Sequence, residues 1–181
     1  VTEDTVATGT LSASDVDGDA LTYSIVSQGS KGAVTITNAA TGAYRYTPVA
    51  DATGNDSFTF NVTDGIADSA IATVTVSIAA VNDAPVLAAI GQQTLLEDTA
   101  KSITLSAADA DGDSISYSVS GGSSSTVSAV ISGATLTLTP VANYASTTPI
   151  NFTVTATDGK GGRDSRSFSV TVTAVNDVPT A

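Results

Sequence analysis

Carboxylates recur along this chain at a fixed interval. Glu3-Asp4-Thr5 returns as Glu97-Asp98-Thr99, and Asp15-Val16-Asp17-Gly18-Asp19 returns as Asp109-Ala110-Asp111-Gly112-Asp113. Thr63-Asp64-Gly65 returns as Thr157-Asp158-Gly159, and Val81-Asn82-Asp83 as Val175-Asn176-Asp177. Each landmark and its return are 94 residues apart, as positions 17 and 111 show. The chemistry open to such a set is the binding of a hard divalent cation. Calcium takes roughly six to eight oxygen ligands from carboxylates, amide carbonyls and backbone carbonyls. One short motif supplies too few of these, but several loops gathered at one end of a domain supply enough.

A single D-x-D-G-D also has a plain turn reading, because aspartate side chains accept hydrogen bonds from nearby backbone amides. Two copies in register with T-D-G and V-N-D favour the metal reading. The loop is not an EF-hand. That motif needs glycine at the sixth position and glutamate at the twelfth. Counted from Asp15, these positions are Ala20 and Val26. The glycine-rich nonapeptide of calcium β-rolls is also missing.

The elements that must hold these loops are strands. Phe58, Phe60 and Val62 alternate with Thr59 and Asn61; Phe168, Val170 and Val172 alternate with Ser169 and Thr171. A period of two places one face toward a core and one toward water. β-branched residues favour the same conformation. Turn signals at Asp17-Gly18, Thr41-Gly42, Asp64-Gly65, Gly121-Gly122 and Asp158-Gly159 separate the runs. Strands are expected over 7–14, 21–26, 33–38, 43–49, 57–63 and 69–80. In the second repeat they are expected over 86–96, 101–108, 115–120, 126–132, 134–141, 150–157 and 165–175. This density fits an all-β fold of two tandem Greek-key β-sandwiches joined end to end, with antiparallel sheets. The expected domains are 1–82 and 83–181, the first with a truncated opening strand and therefore an open sheet edge. Pro85 makes the connector short and stiff.

Composition narrows the function. Against 6 lysines and arginines stand 18 aspartates and glutamates, a net charge of −12 at pH 7. No basic patch exists to displace counterions from nucleic acid. Fourteen of the eighteen acids lie in the repeated motifs, whereas acid used only for solubility would be scattered. There is no histidine and no cysteine, so the usual nucleophile–base pairs are missing and an enzyme is not expected. No apolar run is long enough for direct membrane insertion. The chain starts with valine and ends on a repeat boundary, so it reads as a piece of a longer protein.

Ala13-Ser14-Asp15-Val16-Asp17-Gly18-Asp19-Ala20-Leu21-Thr22-Tyr23-Ser24-Ile25, Asn82-Asp83-Ala84-Pro85, Thr157-Asp158-Gly159 and the early Glu3 and Glu97 together resemble the tandem cadherin-like repeats of large bacterial surface and secreted proteins. The likeness covers essentially the whole chain. It implies Ca2+ bound between consecutive domains, one or two ions per junction. The implied junction ligands are Glu3, Asn82, Asp83, Asp109, Asp111 and Asp158, with Asp51 as a further upstream acid. Asp4 and Asp113 are extra ligands or lie just behind them. Asp15, Asp17, Asp19 and Asp64 form an incomplete open-end site. Animal-type linkers carry an acid where Ala80 stands here and one more residue before Ala-Pro, which reduces the expected ion count. The resemblance implies a calcium-stiffened spacer or adhesion module, extracellular or on the cell surface. Its expected partners are neighbouring repeats and, through the parent protein, other cells or cell-surface glycans. The fragment itself is expected to be a monomer with a pairing-competent edge. A carbohydrate-binding module is the alternative, with Tyr144 as an exposed aromatic platform.

Overall fold

The computed structural model describes residues 1–178 and contains strands and turns with no helix among them. Among the described residues, no helix is long and apolar enough to cross a membrane. The chain divides into two compact units, Val1–Val81 and Asn82–Ala181.

In unit 1 the strands are β1 (Ala7–Thr10), β2 (Thr22–Ser27), β3 (Gly32–Asn38), β4 (Ala43–Pro48), β5 (Gly54–Thr63) and β6 (Ala72–Ile78). One sheet has the order β1-β4-β3 and the other β2-β5-β6. The alternating side chains face inward between the sheets. Val34, Tyr46, Phe58, Phe60, Val62, Val76 and Ile78 form the core with Leu11 and Tyr23. Each large apolar side chain so buried contributes roughly 1.5–3 kcal/mol relative to exposure.

Unit 2 has β7 (Val86–Leu87), β8 (Gln93–Leu96), β9 (Lys101–Thr104), β10 (Ala107–Ala108), β11 (Ser116–Gly121), β12 (Val127–Ser132), β13 (Thr135–Pro140), β14 (Ser146–Thr157) and β15 (Arg163–Thr173). Its sheets are β12-β13-β9 and β11-β14-β15-β8, with a small β10-β7 pair. Val127, Leu136, Leu138, Phe152, Val154 and Val170 are fully or almost fully buried between them.

Three sequence expectations need correction. The run expected over 86–96 is two strands: β7 pairs antiparallel with β10, and β8 pairs with β15. The run over 101–108 is likewise split, β9 lying on β13 and β10 on β7. Leu87 and Leu95 share one parity, as do Ile103, Leu105 and Ala107, so a switch between sheets leaves the alternation intact. Finally, β8 runs parallel to β15, with Leu95 opposite Val172, so the sheets are not wholly antiparallel.

The outer edge of β6 in unit 1 carries only a short N-terminal contact. Thr2 bridges Ala79 in parallel, the Ala79 amide donates to the Val1 carbonyl, and the Val1 ammonium donates to the Ser77 carbonyl. In unit 2 the equivalent edge of β15 is paired along all four residues of β8.

Candidate metal centre

Two kinds of acidic loop recur in each unit, and in unit 2 β15 shows how they are separated. This strand is eleven residues long. The turn containing Asp158 precedes its first residue, and Glu97 binds at its last residue through Glu97 N–H to the Thr173 carbonyl. The two clusters of unit 2 therefore lie at opposite ends of one strand.

The first cluster is the D-x-D-G-D loop with the late aspartate. The Oδ1 atom of Asp109 accepts the amides of Asp111 and Asp113, each at 3.1 Å, which curls the loop. Gly112 sits at φ 75°, a left-handed conformation that favours glycine. Oδ2 of Asp111 accepts the Asp83 amide at 2.8 Å. One carboxylate oxygen from each of Asp109, Asp111 and Asp113 lies within 4.8 Å of the others. Oδ2 of Asp109 and Oδ2 of Asp113 are buried with no hydrogen-bond partner. A buried, unpartnered carboxylate oxygen is costly unless a cation or an ordered water completes it.

Asp158 is engaged differently. It is 6% exposed, and its two oxygens accept the amides of Lys160, Gly161 and Gly162 and the Asn82 side-chain amide at 2.7 Å. The Asn82 hydrogen bond first, and then these backbone amides working against desolvation, hold its carboxyl below the usual aspartate range. Asp158 thus organises its own turn and orients Asn82. The Asn82 amide also donates to the Asp83 carbonyl, so both donations use its nitrogen and its Oδ1 is an acceptor that could serve a cation. A methyl group on Gly162 would collide with Asp158, so this turn requires glycine there.

The counterpart loop in unit 1 has the same curl: Asp15 Oδ1 accepts the amides of Asp17 at 2.8 Å and Asp19 at 3.2 Å. Asp64 accepts the amides of Ile66 and Ala67, each at 2.7 Å, and these lower its pKa. Asp15 and Asp64 border a hollow of about 190 Å³ that also includes Asp68. Among the described residues, however, Asp15, Asp17 and Asp19 do not form a grouping like that of Asp109, Asp111 and Asp113.

The second kind of cluster surrounds the early glutamate. In unit 1, Glu3 is 2% exposed and accepts the Val81 amide at 2.6 Å. Asp4, at φ 53°, accepts the Asp51 amide at 3.3 Å, and Asp51 sits at φ 57°. Unit 2 repeats this design. Glu97 is 6% exposed and accepts the Val175 amide at 2.6 Å, while Asp98, at φ 60°, accepts the Asn143 amide at 2.9 Å. Glu97, Asp98 and Asp177 bring carboxylate oxygens within 4.8 Å of one another. Sequence reasoning did not assign this last set as a site, although the 94-residue period marks it as the repeat of Glu3, Asp4 and Asp83. It also missed Asn143, the counterpart of Asp51.

All nine aromatic side chains are buried or half-buried. Tyr144, expected to be exposed, is half-buried and packs against the unit 2 core.

Strand order, the two sandwich cores and the paired acidic loops define a tandem array of immunoglobulin-like, cadherin-like β-sandwich modules. The chain belongs to the Bacterial Ig domain family, whose profile matches residues 1–77 and again 82–173. Among solved structures, repeats 21–23 of human CDH23 share 19% identity at a TM-score of 0.56, covering 91% of this chain and 66% of that one. Repeats 1–2 of human protocadherin-24 share 16% identity at a TM-score of 0.56, covering 89% and 85%. An endo-fucoidan hydrolase of glycoside hydrolase family 107 shares 23% identity at a TM-score of 0.41, covering 97% of this chain; the chain spans 27% of that enzyme chain. No curated protein matches. Ig-like and cadherin-like families are typically non-catalytic and typical of extracellular modules.

Proposed function

We propose that this chain is a calcium-rigidified extracellular spacer or adhesion module of a bacterial surface or secreted protein. In this reading Glu3, Asp4 and Asp51 of unit 1 share one or two Ca2+ ions with Asn82, Asp83, Asp109 and Asp111 of unit 2. Asp158 holds Asn82 in place for that role. The observation that carries the proposal is the pair of buried, unpartnered oxygens, Asp109 Oδ2 and Asp113 Oδ2, beside an all-oxygen ligand set. Hard oxygen donors without nitrogen or sulfur suit calcium rather than zinc.

The repeated design supports sharing between neighbours. Unit 2 carries a D-x-D-G-D cluster at one end of β15 and a Glu97–Asp98–Asp177 cluster at the other. A module with half a ligand set at each end completes its sites only by joining another module. Glu97, Asp98 and Asp177 would then serve a following repeat, and Asp15, Asp17, Asp19 and Asp64 a preceding one.

The mechanical consequence is electrostatic. Two unit charges about 5 Å apart repel by roughly 1 kcal/mol in water and about 3 kcal/mol at an effective dielectric of 20. Several carboxylates collected at one junction therefore push it apart, and a bound dication turns that repulsion into shared coordination. The affinity expected is the weak one of extracellular modules, on the order of 10⁻⁴–10⁻³ M, which millimolar calcium fills. Thermal unfolding tests the reading. Calcium that binds only the folded state stabilises it by about 2.7 kcal/mol at a hundredfold excess over the dissociation constant. The melting temperature is expected to rise with calcium and far less with sodium at matched ionic strength. Equal rises would reduce the effect to screening.

A further inference from the structure

We propose that Lys160 is a tethered cation that sets the divalent-ion affinity of the Asp109–Asp111–Asp113 loop, and that an arriving ion must displace it from Asp113. The proposal rests on the calcium reading above. The Lys160 ammonium lies 2.7 Å from Asp113 Oδ1. The lysine side chain is 60% exposed and that of Asp113 only 17%, so the lysine can swing into water while the carboxylate stays in the loop. Its backbone cannot follow, because the Lys160 amide is held by Asp158 Oδ1 at 2.7 Å. The charge is thus on a leash of one side chain, fixed by the same turn that orients Asn82.

The repeat supplies an internal comparison. The position equivalent to Lys160 in unit 1 is Ile66, whose side chain lies fully in solvent at 92% exposure. Where the lysine is present, the three loop carboxylates converge within 4.8 Å; in unit 1, among the described residues, they do not. A lysine ammonium is charged across the physiological range, and here it stands against the carboxylate of Asp113. A monovalent ammonium relieves carboxylate repulsion when calcium is scarce. It is also easily displaced, because an exposed ion pair is weak.

The test is calorimetric titration of the full chain with calcium at fixed ionic strength, comparing wild type, Lys160→Met and Lys160→Arg. Lys160→Met is expected to bind about three- to tenfold more tightly, with a lower melting temperature in chelator; Lys160→Arg should keep wild-type affinity. Asp113→Asn should weaken binding more in the Lys160→Met background than in wild type, because there no ammonium competes with the ion for Asp113. Equal or weaker affinity in Lys160→Met would overturn the proposal and leave the calcium reading standing. Absence of calcium-binding heat in every variant would overturn both.

Discussion

The side-chain amide of Asn82 donates to Oδ2 of Asp158 at 2.7 Å, tying the first residue of unit 2 to the turn that opens β15. This couples the late aspartate, whose oxygens accept amides, to an asparagine whose carbonyl oxygen is a ligand in the proposed calcium site. Asp158→Ala should therefore harm the protein twice. It releases the amides of Lys160, Gly161 and Gly162, lowering the melting temperature even in chelator. It also frees Asn82, weakening calcium binding on the order of tenfold, the scale typical of groups that orient metal ligands. Melting curves with and without calcium separate the two effects.

Asp17 and Asp111 occupy the same place in matching loops, but only Asp111 accepts a hydrogen bond from the segment after Val81, through the Asp83 amide. Asp111→Asn is expected to remove most of the calcium-dependent rise in melting temperature. Asp17→Asn should change that rise little. Identical behaviour of the two variants would mean that each loop acts alone, as a turn or a self-contained site.

A separate prediction concerns the unit 1 core, where Tyr46 donates to Asp56 at 2.6 Å. Asp56 is 7% exposed and also accepts the amides of Ser30 at 2.8 Å and Lys31 at 3.1 Å. Tyr46→Phe removes one bond to a buried charge and is expected to cost about 1.5–3 kcal/mol. A methyl group on Gly29 would collide with the Asp56 carboxylate, so Gly29→Ala should destabilise the same unit. Both effects belong to unit 1 and should be the same in calcium and in chelator, as urea denaturation can show.

The same pair predicts acid sensitivity. Burial pushes the Asp56 carboxyl up, but the Tyr46 hydroxyl and the amides of Ser30, Ser57 and Lys31 outweigh it and bring it down to about 2 from the usual 3.8. A group whose folded pKa is depressed stabilises the fold above its unfolded pKa and loses that contribution as pH falls through the folded value. Unit 1 is therefore expected to lose on the order of 2 kcal/mol between about pH 5 and pH 2. Denaturation midpoints measured across that window should fall for wild type and stay flatter for Asp56→Asn. Parallel curves would remove Asp56 as the cause.

Much of this architecture is legible in the sequence because it is written twice. The 94-residue period marks the acidic loops, and strict alternation such as Phe58-Thr59-Phe60 marks the strands. What escapes is what alternation cannot carry. Leu87 and Leu95 keep the same inward phase although their strands lie in different sheets. Asn143 stands two positions short of the period, because the turn between β12 and β13 (133–134) is shorter than that between β3 and β4 (39–42), and the register is regained only within β14, twelve residues long against ten for β5. Asp56 lies outside the repeat, its place in unit 2 being taken by Ile150, so nothing marks it as a buried acid until the fold brings Tyr46 and Ser30 to it. Tyr144 sits in a polar stretch, yet the closing of unit 2 turns its ring onto the core.

Small-angle scattering from the intact chain, in millimolar calcium and in chelator at equal ionic strength, tests the central claim most directly. The account predicts a single extended, end-to-end particle in calcium and a broader, on average more compact distribution once the ions are removed. Asp111→Asn should give the chelator profile even in calcium. Superimposable wild-type profiles in the two solutions would contradict the claim that calcium stiffens this chain.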